Sequence, residues 1–365
     1  MNIEYKNKFN EFPIFFSKNK NKKILIVTDI NTVKYFQIYN YYFNKLTKNI
    51  NLLTFENKHL IPNEIAYNAI YKKALNSDYI LTIGSGTIND LAKAVSTELK
   101  IECGVMPTAP SMDGYASSGA AIIKNGKKIT VNSHAPDDII IDLDIIKDAP
   151  KDMLAAGFGD IIGKYTSLMD WQLSNLINDE PINKKSFNMM NEALLACVNS
   201  FNSLVNNESK ALEKLMDALI ISGLSIKENG NSRPASGSEH HFSHYLEMDF
   251  IKKNKPIPLH GIKVSIGSLI SLTMYNYLLN LDINLKNKNQ IDELIKKLPN
   301  PNDISQMLLD LDSPIKFSDI GVDLDTFKNM IFNAYKVRDR FTVHTLLANS
   351  NLLNNVLDDL INKYY

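Results

Sequence analysis

Short runs of Ile and Val alternate with helix-like stretches up to residue 141, and beyond Pro150 only helical patterns remain. Residues 23–28 (KILIVT), 79–83 (YILTI), 102–106 and 138–141 (DIII) are brief apolar runs of the kind that form buried strands. Residues 88–99 read as a helix. Residues 121–123 and 128–131 flank Asn125-Gly126, a pair suited to the left-handed backbone of a tight hairpin turn. Strands separated by helical segments predict an open α/β sheet. After Pro150 helices are expected over 154–176, 186–206, 208–226, 241–246, 264–279 and, with breaks, 327–360. Leu212, Leu215, Met216, Leu219 and Ile220 keep helical spacing. The sequence therefore predicts two domains: an α/β domain of the dinucleotide-binding type over residues 1–150 and an all-α domain over 151–365. The length agrees, at roughly 100–200 residues per domain.

Charge narrows the function. Lys+Arg and Asp+Glu are both 40, without the basic excess of a nucleic-acid binder. The two cysteines, Cys103 and Cys197, form no C-x-x-C pair, so no disulfide framework is expected, and a reducing, cytoplasmic setting is. Residues 1–23 lack the apolar core of a secretory signal. The apolar stretch 264–279 is shorter than the roughly 20 residues needed to span a bilayer and is rich in hydroxyls, so no membrane insertion is expected.

Three constellations carry chemistry. Gly84-Ser85-Gly86-Thr87-Ile88-Asn89-Asp90 joins a strand to a helix. Its glycines permit close approach to a pyrophosphate, and the helix N-terminus offers free N–H groups. Asn89 replaces the third glycine of the ordinary G-x-G-x-x-G fingerprint, and a ligand-free turn would read the same. Residues 107–118 (PTAPSMDGYASS) follow a strand and are dense in hydroxyls; they suit ribose and phosphate, or a plain surface loop. The third set is Asp160, His240, His244 and His260. His240 and His244 share a helix face, and one carboxylate with two imidazoles suits a divalent metal with positions left open. Scattered histidines are the alternative, although four of the seven fall within 240–260.

Taken together, GSGTIND (84–90), PTAPSMDGYASSGAAI (107–122), GFGDIIGKYTSLMDW (157–171), SRPASGSEHHFSH (232–244), LHG (259–261) and VRDRFT (337–342) resemble one superfamily. It is that of the iron-containing alcohol dehydrogenases and dehydroquinate synthase. Within it the motifs are most similar to the glycerol-1-phosphate dehydrogenase family. The resemblance implies a dehydroquinate synthase-like fold and NAD or NADP as cofactor. It also implies one divalent metal (zinc or nickel, with iron an alternative) and interconversion of dihydroxyacetone phosphate and sn-glycerol 1-phosphate by a homo-oligomer. Gly84 would shape the turn, and Gly86, Thr87, Ile88, Asn89 and Asp90 would line the pyrophosphate. Thr108, Ala109, Pro110, Ser111 and Ser117 would contact the cofactor. Asp29, ending the first nucleotide-binding strand, falls on the adenosine side. Asp113 would meet the substrate hydroxyls and His244 the substrate, while Asp160, His240 and His260 would ligate the metal.

Lys164 stands where simple-alcohol members often carry a histidine ligand. A protonated lysine cannot ligate a cation, which argues against that branch. Its ammonium would either attract the substrate phosphate or pair with a carboxylate. Two rival readings share these sites: a polyol dehydrogenase acting on an unphosphorylated substrate, and a dehydroquinate synthase-like lyase in which NAD is only a transient oxidant.

Overall fold

The computed structural model describes residues 1–6, 12–58, 60–125 and 127–365. In chain order the strands are β1 (Asn2–Tyr5), β2 (Ile24–Asp29), β3 (Ile50–Phe55), β4 (Tyr79–Gly84), β5 (Glu102–Pro107), β6 (Gly119–Lys124), β7 (Lys127–Asn132) and β8 (Asp138–Ile141). Six of them form one parallel sheet in the order β1-β8-β5-β4-β2-β3. Strands β2, β4 and β8 are buried almost throughout, as their uninterrupted apolar runs require for a sheet covered on both faces. The order reverses between β2 and β4, and ligands of open α/β sheets bind beyond the strand ends at such a point. Asp29 ends β2 there and Gly84 ends β4.

β6 and β7 form a separate antiparallel hairpin with Lys124 opposite Lys127. Asn125 takes the left-handed conformation that a tight turn needs; Gly126 lies outside the described residues. The edge strands β1 and β3 had no clear signature in the sequence. Nor had the helices Val33–Leu46 and Glu64–Ala74 between the first strands.

Contacts group residues 1–150 with 207–223 into one unit, and 151–206 with 224–365 into a second. The sequence reading had placed 207–223 in the helical part. They join the first unit because Tyr5 donates a hydrogen bond to Asp217 and Ser222 donates to Asp113 at 2.7 Å. A Cβ on Gly223 would also lie 2.9 Å from the backbone of Ala116 and Ser117. The expected helix over 186–206 is interrupted, as Lys184–Val198 and Phe201–Val205.

The second unit is helical. Its centre is the helix His260–Leu279, buried on nearly every face, packed against Lys151–Asn178 and Ser238–Lys252. Its contact with Lys151–Asn178 is unusually close. A Cβ at Gly261 would fall 1.7 Å from the Ala156 carbonyl oxygen, and one at Gly159 would fall 2.7 Å from the Gly261 oxygen. These glycines let two backbones approach so that neighbouring Asp160 and His260 converge. No helix among the described residues is long and apolar enough to cross a membrane.

Candidate active site

In the first unit, the helix Gly86–Leu99 begins directly after β4, and Ser85 makes no side-chain cap. The N–H groups of its first turn are therefore not satisfied by a cap, which suits an anion. A Cβ on Gly86 would lie 2.5 Å from Met112 Cε. The 107–118 segment runs alongside: Thr108 N–H donates to the Gly84 carbonyl at 3.2 Å. Tyr115 donates to the Ala109 carbonyl at 2.7 Å.

Several residues assigned to the cofactor also hold this loop in shape. Ser117 Oγ lies 3.0 and 3.1 Å from the carbonyl oxygens of Gly114 and Gly119, which share its single proton. Asp90 accepts from Ala121 N–H and pairs with the buried Lys93, which itself donates to the Gly114 and Gly119 carbonyls. Asn89 is buried. Asp29 accepts through one oxygen from the N–H groups of Asn31 and Thr32 and from the Thr32 hydroxyl. Its carboxylate thus shapes the turn after β2.

In the second unit, one ligand atom from each of Asp160, His240 and His260 lies within 4.8 Å of the others. Asp160 comes from Lys151–Asn178, His240 from Ser238–Lys252, and His260 opens His260–Leu279. His240 Nε2 is 3.7 Å from Asp160 Oδ1. His240 is tethered through its other nitrogen, and His260 is tethered through Nδ1. His240 Nδ1 meets Glu239 Oε1 at 2.7 Å, and His260 Nδ1 meets Glu247 Oε1 at 3.3 Å. A neutral imidazole that donates from Nδ1 presents its Nε2 lone pair, the arrangement that orients histidine ligands in metal sites. Burial, followed by the charge of Lys164, pushes His240 well below its ordinary range, so it is neutral. The donor set and its spacing fit a divalent cation.

His244 lies one turn beyond His240, with ring centroids 6.0 Å apart, and its Nδ1 meets Glu247 Oε2 at 3.2 Å. Burial pushes it down to about 4, partly offset by Glu247. His241 points elsewhere: it is buried, and neither ring nitrogen has a hydrogen-bond partner among the described residues. Lys164 is fully buried; its ammonium donates to Asp160 Oδ1 at 2.9 Å and to the Ala235 carbonyl at 3.0 Å. This geometry favours the carboxylate pair over a direct approach to a phosphate.

The sequence reading passed over Glu239 and Glu247. Glu247 stands three residues after His244, on the same helix face, and that spacing could have revealed it.

The first unit thus carries a parallel sheet with a glycine loop at its switch point, and the helical unit a carboxylate and two tethered imidazoles suited to a divalent cation. An iron-containing alcohol dehydrogenase family model matches residues 5–150. A glycerol-1-phosphate dehydrogenase (NAD(P)+) of Halalkalibacterium halodurans is 43% identical over 202 residues, covering 55% of this chain and 51% of the relative. One from Geobacillus thermodenitrificans is 35% identical over 274 residues, covering 73% and 67%. The chain thus spans about half the length of the first relative and two thirds of the second. The crystal structure of a probable glycerol dehydrogenase from Sinorhizobium meliloti superposes with a TM-score of 0.69, over 99% of this chain and 98% of that one. Its 15% identity speaks for the fold alone. The chain belongs to the iron-containing alcohol dehydrogenase family, on its glycerol-1-phosphate dehydrogenase branch.

Proposed function

We propose that the chain reduces dihydroxyacetone phosphate to sn-glycerol 1-phosphate, reversibly, with NADH or NADPH. The observation that carries this reading is the convergence of Asp160, His240 and His260, in a chain whose relatives at 35% and 43% identity bear that name. These three residues would hold the divalent cation. A cation so held supplies Lewis-acid polarisation of a carbonyl oxygen, and the nicotinamide supplies the hydride.

The chain's own residues do the rest. The amides opening Gly86–Leu99 bind the cofactor pyrophosphate, and Gly86 leaves room for the Met112 side chain beside them. Thr87, Ile88, Asn89, Asp90, Thr108, Ala109, Pro110, Ser111 and Ser117 line that side, and Asp29 supports the turn beside the adenosine. Asp113, oriented by the Ser222 hydroxyl, accepts from a substrate hydroxyl. His244, anchored at Nδ1 by Glu247 and neutral because burial pushes it down to about 4, turns its Nε2 lone pair to a substrate hydroxyl as an acceptor, and solvent water supplies the proton taken up by the reduced oxygen. Lys164 holds Asp160 in place rather than touching substrate. Cys103 and Cys197 form no disulfide with each other, and the reaction is assigned to the cytoplasm as part of this proposal.

Nicotinamide absorbance tests the reading. Metal-loaded protein is mixed with dihydroxyacetone phosphate or dihydroxyacetone, with NADH and NADPH separately. Cofactor oxidation that strongly prefers the phosphorylated ketone is expected. Faster turnover of the unphosphorylated ketone would replace this reading with a polyol dehydrogenase. No net change in the cofactor with either ketone would refute it.

A further inference from the structure

Four cations meet at the loop spanning residues 232–237, and three are already engaged. Lys164 donates to Asp160 and the Ala235 carbonyl. Arg233 grips Glu180 with two nitrogens. Arg340 donates to the carbonyls of Ser232 and Ser236. Arg338 differs. Only its Nη1 makes hydrogen bonds among the described residues, to Ser232 Oγ at 3.3 Å and Ser236 Oγ at 3.5 Å. Both lie beyond the usual N–H···O range, and no carboxylate among the described residues lies within ion-pair distance. Yet Arg338 is half-buried, and the Ser236 it reaches adjoins Ala235, whose carbonyl accepts from Lys164, the lysine bonded to Asp160. The fork of an arginine therefore sits beside the Asp160–His240–His260 group with Nε and Nη2 open. The charge of Glu247, which is itself tied to His244 and His260, acts on Arg338 from beyond ion-pair distance; a half-buried charge with no direct partner is costly, and guanidinium geometry matches a phosphate face.

We propose that Arg338, with the hydroxyls of Ser232 and Ser236, binds the phosphate of the substrate and thereby selects phosphorylated over plain ketones. Arg338 and not Lys164 is then the phosphate ligand. The inference rests on the function proposed above. The same chemistry could serve the 2′-phosphate of NADP; its place beside the metal-type group of the helical unit assigns it to the substrate.

The test compares wild type with Arg338→Gln, Arg338→Lys and Ser236→Ala. A charge-assisted hydrogen bond lost from a partly buried site corresponds to a change of about 10–100-fold. The ratio of kcat/KM for dihydroxyacetone phosphate to that for dihydroxyacetone should fall by this factor in Arg338→Gln. Arg338→Lys, which keeps charge and loses the fork, should recover part of it, and Ser236→Ala should show a smaller fall. Inorganic phosphate titrated calorimetrically into metal-free protein gives a readout independent of turnover: binding to wild type and loss in Arg338→Gln are expected. That result would establish the anion site even if the ketone proved to be another. Equal phosphate binding by both proteins would overturn the proposal. So would a loss confined to the KM for NADPH, which would move the phosphate to the cofactor.

Discussion

Replacing Lys164 with Met distinguishes a positioning lysine from a phosphate ligand. Lys164 and Asp160 are both fully buried, 2.9 Å apart, and the lysine also satisfies the Ala235 carbonyl. Removing one partner of a buried pair leaves the other charge uncompensated, at about 3–5 kcal/mol. For a unit of this size, about 2–4 °C of melting temperature follows each kcal/mol, so metal-free Lys164→Met should melt roughly 6–20 °C below wild type. A divalent cation on Asp160 replaces part of the missing charge, so saturating metal should recover some of that loss, as ligands of the folded state do. The assays are thermal unfolding with and without metal, and kcat/KM for both ketones. Both specificity constants should fall by the same factor, because the lysine acts through Asp160. A fall at least ten-fold larger for the phosphorylated ketone, or an unshifted metal-free melting temperature, would refute the reasoning.

Other outcomes follow from the same geometry. Glu247→Gln loosens the carboxylate that holds His260 and His244 by Nδ1; a chelator-competition titration should show metal affinity about 10–100-fold weaker. Gly261→Ala drives a methyl group into the Ala156 carbonyl, 1.7 Å from an ideal Cβ; urea unfolding should show a loss of about 1–3 kcal/mol or more. Asp323 caps the helix Leu324–Asn333 by accepting from Thr326 N–H, which pulls its carboxyl down to about 2. Its stabilisation is therefore present above its ordinary value of 3.8 and fades as pH falls towards 2. Asp323→Ala should cost about 0.5–2 kcal/mol at pH 7, and the difference from wild type should close in acid.

Interior strands and the helical half were legible because burial on both faces writes itself as unbroken apolar runs. β2, β4, β5 and β8 all announced themselves this way. β3 did not: it sits at the sheet edge, half exposed, and no strict alternation marks it. β1 occupies the other edge with four residues. Residues 207–223 carried a helical pattern that says nothing about which unit the helix joins; that depends on Asp217 and Ser222 meeting Tyr5 and Asp113. At the site, residue type and spacing suggested the ligand trio, and the spacing from His244 could have shown Glu247, but Glu239 was hidden, because a buried tether and a surface glutamate look alike in sequence. Lys164 was ambiguous for a related reason. A four-residue spacing places it near Asp160 but cannot say whether its ammonium faces the carboxylate or open space.

The central claim is that Asp160, His240 and His260 hold the cation on which reduction of the phosphorylated ketone depends. Metal content and nicotinamide oxidation by dihydroxyacetone phosphate, measured on the same preparations, test it directly. Wild type should carry about one divalent ion per chain, lose turnover on chelation, and regain it on reloading. His260→Ala should lose the metal and the turnover while still binding NADH. Full turnover by chelator-treated His260→Ala would contradict the account.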